Sequence, residues 1–428
     1  MEPHAEPPAI LLVDIDAFFA QAEQTQRSLL RGRPVIVGGL VTDRSVVASA
    51  SYEARALGVK TAMPIAQARR LCPHGVFLRG NYHTYARLSE AMMDVCRRYT
   101  PLVEPISLDE AYLDISGCRR YFRTVGIADG PAWPLQVAEH LKRTIHRETG
   151  LDVSIGAGAN CLIAKVACAC AKPSGILYIQ PGYEEPFLAP LPLKDLPGIG
   201  PRTAERLNRC NLRRARDLAG IPKSALAVRF GLFGIELAAL ARGHDLTPVS
   251  AGCKEAKSIS RETTFETNLT RRQAIQAMLY YLLGRCGREL RQIQRLARTV
   301  TVKLRYANFQ TFLRSRSLPA PSDHDDDFWP VAAHLLEKLH TRRVGVRLVG
   351  VALSNFTPAR SAPFHIGRQM DLFDEGRYRR RTRFYRAVDR IRDRFGFGAV
   401  VLGQAIELLR THEKNTHGFR LRTACLSR

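Results

Sequence analysis

Two short apolar stretches of this chain carry acidic residues at their ends. Residues 10–12 are apolar and lead into Asp14, whereas Asp109 and Glu110 precede the apolar-rich stretch 111–115. Apolar runs of this length favour short buried strands. An ionised carboxylate in such a strand is costly unless a cation or a partner compensates it. If the two strands lie side by side, their acids form a cluster of oxygen ligands suited to Mg²⁺.

The remaining pattern divides the chain into four parts. Up to residue 180, helical and strand patterns alternate in a way that favours an α+β sheet with helices on one face. Residues 181–250 contain short helical patterns, glycines and many arginines. A second α+β unit is predicted after residue 254, and a tail follows from residue 360. In the second α+β unit, strands are predicted at 257–265, 299–305, 311–318 and 346–353, with helices at about 270–290 and 328–340.

Composition and charge narrow the class of protein. The 428 residues and the hydrophobic content of 45% allow two to four domains with substantial cores. The 64 Lys and Arg residues exceed the 40 Asp and Glu residues by 24, which favours a polyanionic partner. No apolar run approaches the roughly 20 residues needed to span a bilayer, and no signal peptide is visible. Nucleic acid is therefore favoured over a membrane, and ten scattered cysteines without a CxxC pair indicate reduced thiols.

Four motifs occur in a fixed order along the chain, at 13–20 (VDIDAFFA), 51–55 (SYEAR), 107–114 (SLDEAYLD) and 171–175 (AKPSG). The set resembles the motifs of the bacterial Y-family translesion DNA polymerases, and the similarity extends from about residue 10 to 355. The resemblance implies an α+β, multidomain right-hand polymerase fold. Its parts would be a ferredoxin-like palm (1–30 and 77–180), small fingers (31–76), a helical thumb (181–250), an α+β little finger (251–358) and a C-terminal tail (359–428).

The acidic residues would then form the catalytic centre. The resemblance implies that Asp14, Asp109 and Glu110 hold two Mg²⁺ ions, with the carbonyl oxygen of Ile15 as a further ligand. Such a pair of ions stabilises the attacking primer 3′ oxygen and the leaving pyrophosphate. Asp16 is expected to have a structural role. The alternative for each acid is an ordinary strand-end or surface carboxylate, but the apolar context of the acids in two segments favours metal ligation.

Two adjacent aromatic residues are expected at the sugar of the incoming nucleotide. In the family, the second of the two packs beneath that sugar, so Phe19, which follows Phe18, would leave no room for a 2′-hydroxyl. The alternative is simple core packing, which is expected for at least one of the two rings. The resemblance thus assigns both residues to nucleotide binding and selection against ribonucleotides to Phe19.

Basic and hydroxyl side chains are expected on the triphosphate. Tyr52 and Arg55 share one face of a helical turn, and a guanidinium can hold phosphate with two hydrogen bonds. The alternative for each cation is an ordinary solvated surface charge. Lys165 resembles a second family lysine without an assigned role. The set implied by the resemblance is Ser49, Tyr52, Arg55 and Lys172.

A helix-hairpin-helix is predicted near residues 196–207. Gly198 and Gly200 allow close approach of the backbone to a phosphate, and Arg202 lies at the start of the following helical pattern. The alternative is a tight turn between two helices. Such a hairpin holds duplex DNA by its backbone without reading the sequence.

Cations on the predicted strands of the second α+β unit are the other expected DNA contacts. Alternation puts Lys303 and Arg305 on one face, and Arg314 and Arg316 likewise. A solvated sheet face is the alternative, although the net charge favours phosphate contact. The acidic run 323–327 precedes a helical pattern and is interpreted as a helix amino terminus rather than a metal site.

The tail contains a candidate partner-binding peptide. Residues 369–373 (QMDLF) resemble the peptide with which bacterial repair proteins bind the sliding clamp. Leu372 and Phe373 would fill an apolar pocket, and Gln369 would supply hydrogen bonds. Beyond it, an arginine-rich run and apolar residues at helical spacing predict a helix that ends near Gly396, for which DNA contact and packing against the core both stay open. The spaced residues are Phe384, Val388, Ile391 and Phe395.

Together these features predict a Mg²⁺-dependent, template-directed DNA polymerase specialised for low-fidelity translesion synthesis. Its expected partners are primer–template DNA, deoxynucleoside triphosphates and the sliding clamp, and it is expected to be a cytoplasmic monomer without a membrane contact. The alternative from another class is a polymerase-like repair adaptor that binds DNA and clamp without catalysis. A nuclease with the same acids explains neither Phe19 nor the Tyr52 and Arg55 pair.

Overall fold

The computed structural model describes residues 7–40, 44–252, 255–359 and 372–411, with two strand segments at 414–415 and 418–419. The chain forms two compact units. The first unit contains residues 1–40 and 47–254, and the second contains residues 41–46 and 255–428. No helix in the described ranges is long and apolar enough to cross a membrane.

A five-stranded sheet forms the centre of the first unit. The strand order is β5-β6-β1-β7-β8, with β1 antiparallel to both neighbours and β7 parallel to β8. The strands are β1 (Ile10–Ile15), β5 (Val103–Pro105), β6 (Glu110–Asp114), β7 (Val153–Gly158) and β8 (Ile176–Tyr178). The helices that accompany them are α1 (Phe18–Gln26), α4 (Tyr82–Arg97), α5 (Arg119–Thr124), α6 (Trp133–Thr149) and α7 (Cys161–Ala171).

Helices cover both faces of this sheet, so the expectation of helices on one face was wrong. One core contains Leu11 and Val13 of β1 together with buried residues of α1, α4 and α6. Leu12 faces the other way and packs with Cys168 of α7. The small residue Gly156 on β7 makes this second layer possible, because a Cβ at that position would lie 2.0 Å from the carbonyl oxygen of Ala164 in α7.

A small sheet and a helical segment complete the first unit. The three-stranded sheet has the order β3-β2-β4, with β2 antiparallel to β3 and parallel to β4. The elements are β2 (Val35–Val37), β3 (Ser49–Ala50), α2 (Tyr52–Ala56), α3 (Ile65–Leu71) and β4 (Val76–Leu78). The helical segment consists of α8 (Glu184–Leu188), α9 (Pro201–Arg209), α10 (Ala215–Ala219), α11 (Lys223–Phe230) and α12 (Leu232–Ala241).

The second unit is built on a four-stranded antiparallel sheet. Its order is β11-β10-β12-β9, and two long helices form a shared core with one face of the sheet. These elements are β9 (Ser258–Leu269), α13 (Arg272–Gln292), β10 (Arg295–Tyr306), β11 (Thr311–Ser322), α14 (Asp325–Leu339) and β12 (Val346–Pro358). The elements that follow are α15 (Leu372–Phe395), α16 (Leu408–Thr411), β13 (Lys414–Asn415) and β14 (Gly418–Phe419).

Candidate active site

Two of the predicted acids are direct partners on adjacent strands of the central sheet. Asp14 at the end of β1 is the direct partner of Glu110 at the start of β6. Side chains of directly opposite residues lie on the same face, about 5 Å apart at Cβ. Asp109 is the residue before β6, and its carbonyl oxygen accepts a hydrogen bond from the Ile15 amide at 2.9 Å. Antiparallel pairing therefore brings the two acidic motifs to one end of the sheet.

The carboxylate of Asp109 accepts a hydrogen bond from the hydroxyl of Ser107. Within the described ranges, no group of three or more His, Cys, Asp and Glu side chains is arranged to hold a metal ion. The backbones of the three acidic residues are thus adjacent, but their carboxylates do not form a closed ligand set in this structure.

Lysines of the α7 region pair with two of these acids. The ammonium group of Lys172, the residue after α7, lies 2.5 Å from Asp14 Oδ1. Lys165, two turns earlier on α7, lies 2.5 Å from Glu110 Oε1. Because α7 packs directly on β1 and β7, it delivers both cations to the same end of the sheet as the acids.

Burial changes the acid–base chemistry of the Asp14 and Lys172 pair. Desolvation raises the pKa of Asp14 to about 6, although the Lys172 ammonium opposes this and the nearby Asp109 and Glu110 charges add to it. Burial tends to lower the pKa of Lys172, but the Asp14 carboxylate outweighs burial and raises it above its ordinary value. At neutral pH the two groups therefore form an ion pair.

The donor set fits a divalent metal ion. Carboxylate and carbonyl oxygens are hard ligands of the kind that Mg²⁺ prefers, and they converge on one sheet end. The ammonium groups of the two lysines that pair with Asp14 and Glu110 show that this end of the sheet attracts positive charge. A metal ion would have to replace at least part of that lysine charge.

Asp16 joins several segments around the acids. Its buried carboxylate accepts hydrogen bonds from the Tyr52 hydroxyl at 2.9 Å, the Ser154 hydroxyl at 2.9 Å and the Ser174 amide at 2.7 Å. It thereby connects the end of β1 with α2, β7 and the loop that follows Lys172. This agrees with the structural role expected for it.

Three of the four predicted triphosphate residues lie on or near α2, and the fourth, Lys172, follows α7. The guanidinium of Arg55 lies 4.8 Å from the ring centroid of Tyr52 and donates to the Ala50 carbonyl at 2.9 Å. The hydroxyl of Ser49 is buried and donates to the Ala17 carbonyl at 3.0 Å. Burial, with a contribution from Asp16, raises the pKa of Tyr52 above its ordinary value.

The two adjacent phenylalanines differ in environment. Phe18 is buried in the core, and Phe19 is partly buried. The ring of Phe19 stacks on Tyr85 of α4, with centroids 4.5 Å apart and planes at 19°. The Tyr85 hydroxyl in turn donates to Glu23 at 2.7 Å. Phe19 is therefore a ring held in a defined orientation next to β1.

The glycine hairpin has an open backbone at the start of a helix. Gly198 has φ +85°, in the left-handed region that glycine tolerates, and Gly200 caps α9 in an extended conformation. A Cβ at either position would meet no atom within 4 Å. Arg202 is exposed in the first turn of α9. The amide groups and the arginine are accessible to a ligand at this helix amino terminus.

The cations of the second unit occupy two faces of its sheet. Arg314 is the direct partner of the buried residue Val302. Directly opposite residues lie on the same face, so Arg314 is on the face of the sheet that packs against the core. Lys303 follows Val302 on β10 and lies on the opposite face, where it pairs with Glu262 at 2.7 Å. This alternation places Lys303 and Arg305 on one face of the sheet and Arg314 and Arg316 on the other.

The candidate clamp peptide falls mainly outside the described residues. Gln369 lies outside them, and Leu372 and Phe373 begin α15 without described side chains. The predicted helix beyond the peptide is present as α15, and it ends before Gly396. Its buried residues include Tyr385, Val388 and Arg392. Of the four residues at apolar spacing, Val388 is buried, whereas Phe384, Ile391 and Phe395 are exposed.

Two contacts of the site were missed by sequence reasoning. The pairing of Lys165 with Glu110 depends on how α7 packs on the sheet, and no local pattern indicates it. The second contact is the hydrogen bond that the Ser154 hydroxyl in β7 donates to Asp16. A polar residue between Val153 and Ile155 was the available signal for that contact.

The chain matches the impB/mucB/samB family over residues 13–169 and the C-terminal domain of that family over 256–372. It also matches the helix-hairpin-helix motif of the same family over 181–212. These matches cover more than half of the chain. The chain therefore belongs to this family, the Y-family DNA polymerases, and has their multidomain α+β right-hand fold.

Two individual DNA polymerase IV proteins are similar to most of the chain. The chain is 36% identical to a DNA polymerase IV of Dehalococcoides mccartyi over 400 residues, which are 93% of this chain and 98% of the relative. It is 39% identical to a DNA polymerase IV of Desulfatibacillum aliphaticivorans over 393 residues, or 91% and 95% of the two chains.

Two solved structures have the same fold. The Y-family DNA polymerase chimera Dbh-Dpo4(243-245)-Dbh has a TM-score of 0.73 and 27% identity, and the match covers 82% of this chain and 99% of the chimera. The insertion ternary complex of Dbh DNA polymerase has a TM-score of 0.56 and 26% identity, with coverage of 82% and 99%.

Proposed function

We propose that this chain is a template-directed DNA polymerase that adds deoxynucleotides to a primer 3′ end and copies damaged templates. One observation carries the proposal: Asp14 and Glu110 face each other across β1 and β6, each with a lysine from the α7 region. Family membership supports the same activity.

The proposed metal ligands are the carboxylates of Asp14, Asp109 and Glu110 and the carbonyl oxygen of Ile15. Two Mg²⁺ ions bound there would lower the cost of negative charge on the attacking and leaving oxygens. The sheet holds Asp14 and Glu110 in register, so the chain itself contributes a fixed pair of anionic ligands. The Asp109 carboxylate, which accepts a hydrogen bond from Ser107 in this structure, would supply the remaining side-chain ligand.

The proposed nucleotide site surrounds these acids. Lys172 and Arg55 neutralise the triphosphate, and Tyr52 and Ser49 add hydroxyl groups near it. Asp16 orients the Tyr52 hydroxyl and the loop that follows Lys172, which supports this arrangement. The stack of Phe19 on Tyr85 holds a rigid ring in place, as exclusion of a 2′-hydroxyl requires.

The proposed domains follow the observed elements. The five-stranded sheet and its helices form the palm, the sheet of β2, β3 and β4 with α2 and α3 forms the fingers, and α8 to α12 form the thumb. The four-stranded sheet with α13 and α14 forms the little finger. Residues 359–428 form the tail, in which Gln369, Leu372 and Phe373 bind the sliding clamp.

The proposed DNA contacts hold the duplex by its backbone. The open amides at Gly198 and Gly200 and the exposed Arg202 suit a phosphate. The cations of the little-finger sheet, Lys303, Arg305, Arg314 and Arg316, add backbone contacts from two faces of that sheet. The net charge of +24 supports binding of this kind. We also propose that the enzyme works in the cytoplasm, where its DNA partner is located, and that it is a monomer.

Primer extension tests the catalytic proposal. The wild-type chain should extend a labelled primer with Mg²⁺ and fail after chelation with EDTA. Asp109→Ala should lower the extension rate about a thousandfold or more, since metal-bound charge stabilisation contributes several kcal/mol. Its affinity for primer–template should stay within a few fold of the wild type. Undiminished extension by Asp109→Ala would refute the assignment, and a wild-type chain that binds DNA without extension would favour the adaptor.

A further inference from the structure

The helix α15 follows the ranges of the chain that match the family models. The match to the C-terminal domain of the family ends at residue 372, where α15 begins. Within the second unit, α15 is docked through an ionic network rather than an apolar seam. Arg291 of α13 bonds to both carboxylate oxygens of Asp389, at 2.6 and 3.1 Å, and to Asp325 at 2.9 Å. Arg392 is also buried, with its guanidinium 4.0 Å from the ring centroid of Phe397.

The outer side of α15 carries a row of arginines, which we call the arginine stripe. At about 100° per residue these positions fall within an arc of about 80° and extend over about 22 Å. All of them are exposed. The arc lies opposite Tyr385, Val388 and Arg392, the buried residues by which α15 is docked. The members of the stripe are Arg379, Arg383, Arg386, Arg390 and Arg394.

Asp389 and Asp393 of the same helix do not cancel the charge of Arg383, Arg386 and Arg390. Asp389 is paired with Arg291, and Asp393 is paired with Arg288, so both acids are engaged with α13. Among the residues that the structure describes, Arg383, Arg386 and Arg390 have no carboxylate within ion-pair distance. The stripe therefore keeps a strong positive potential on a helix whose position is fixed.

A groove of about 760 Å³ lies where α15 meets the end of α13, and Arg383, Arg386 and Arg390 line it together with Gln292 and Gln294. Its other lining residues include Asp389 and Asp393, whose charges are paired with Arg291 and Arg288, and Asp323. Guanidinium and amide groups in one concave surface provide several hydrogen-bond donors for phosphate oxygens.

We infer that the arginine stripe is a DNA-backbone binding surface, additional to the DNA contacts of the polymerase core. The charge fits a polyanion, and DNA is the polyanion of the family to which the chain belongs. The regular spacing of cations along a fixed helix suits repeated phosphates, and nothing in it suits a particular base sequence. The inference concerns binding alone, so it can fail while the catalytic proposal stands.

Arginine footprinting of the full chain tests this surface directly. Phenylglyoxal modifies accessible guanidinium groups, and mass spectrometry measures the rate at each arginine. A 30-base-pair duplex and a 30-nucleotide single strand should each be tried, since both present the same phosphate chemistry. At least one of them should slow modification of Arg383, Arg386 and Arg390 threefold or more. Rates at these three arginines that neither DNA changes would overturn the inference, as would protection by anionic vesicles but not by DNA.

A matched pair of variants measures the contribution to affinity. The triple variant Arg383→Gln, Arg386→Gln and Arg390→Gln is compared with Arg120→Gln, Arg123→Gln and Arg143→Gln, which removes the same charge from exposed positions of α5 and α6. With the DNA that gave protection, the first variant should lower the slope of log affinity against log salt by about two to three, at roughly 0.9 per phosphate contact. Equal slopes and affinities for the two variants would contradict the inference.

Discussion

Lys172 donates a hydrogen bond to Asp14 at 2.5 Å, although the two residues are 158 positions apart in the chain. The lysine that we propose for the triphosphate is thus paired with a proposed metal ligand. Metal binding at Asp14 and nucleotide binding at Lys172 would break this ion pair together, because each partner receives a new counter-charge. The pair would therefore couple the two proposed binding events.

Lys172→Ala separates these two effects. We expect the KM for deoxynucleotides to rise about tenfold or more, because a charge-assisted phosphate contact of about 1.5–3 kcal/mol is lost. We also expect the free enzyme to bind Mn²⁺ more tightly in a titration followed by electron paramagnetic resonance, since the competing ammonium is gone. Lys223→Ala, which removes an exposed lysine of α11, is the control. An unchanged KM would contradict the phosphate role, and unchanged Mn²⁺ affinity would contradict the coupling.

The sequence predicts the elements of this site better than their contacts. The apolar runs around Asp14 and Glu110 indicate strands, but the register that makes them direct partners depends on long-range pairing. The second helical layer was missed because it depends on the absence of a side chain at Gly156. On α15, the apolar spacing includes only Val388 of the docked face, because ion pairs such as Arg291 with Asp389 also hold that face in place.

Phe19→Ala should weaken discrimination against ribonucleotides. Removal of the ring that stacks on Tyr85 opens space beside β1, so the ratio of kcat/KM for deoxy- over ribonucleotides should fall about 10- to 200-fold. Phe19→Leu keeps most of the volume and should give a smaller change. Single-nucleotide insertion kinetics measure both variants, and the same selectivity in Phe19→Ala and the wild type would reject the role.

Leu372→Ala with Phe373→Ala should abolish stimulation of synthesis by the sliding clamp. The two side chains are the proposed apolar anchors, and such anchors contribute most of the binding energy of a short peptide. Synthesis without the clamp should stay unchanged. Phe384→Ala with Ile391→Ala removes two exposed apolar side chains from the same helix and is the matched control. Persistent stimulation of the first variant in primer-extension assays would count against the peptide.

Gly156→Ala should destabilise the first unit. The added methyl group would lie 2.0 Å from the Ala164 carbonyl oxygen and 2.2 Å from the Cys168 amide nitrogen, so α7 must move away from β7. Overpacking of this kind costs about 1–3 kcal/mol or more. Gly117→Ala is the control, because a Cβ there meets no atom within 4 Å. Urea unfolding followed by circular dichroism measures the difference, and equal midpoints for the two variants would argue against close packing of α7.

Asp325 should make the stability of the second unit depend on pH. Its carboxylate is fully buried, and desolvation raises its pKa to about 6 despite the bond from Arg291. The pKa in the unfolded chain is about 3.9, so between pH 4 and 6 the folded state binds more protons than the unfolded state. The free energy of unfolding contributed by this group therefore falls as pH rises from 4 to 6 and is constant above that range. The total change is on the order of 3 kcal/mol.

Asp325→Asn removes this titration, so its stability should fall less steeply than that of the wild type between pH 4 and 6. Urea unfolding at several pH values measures the difference. In a Trp133→Phe background the fluorescence of Trp329, which lies in the second unit, reports on that unit alone. Asp393→Asn removes a half-exposed carboxylate that is paired with Arg288 and is the charge-matched control. If the profiles of Asp325→Asn and the wild type run parallel across the range, ionisation of Asp325 is not the source of the pH dependence.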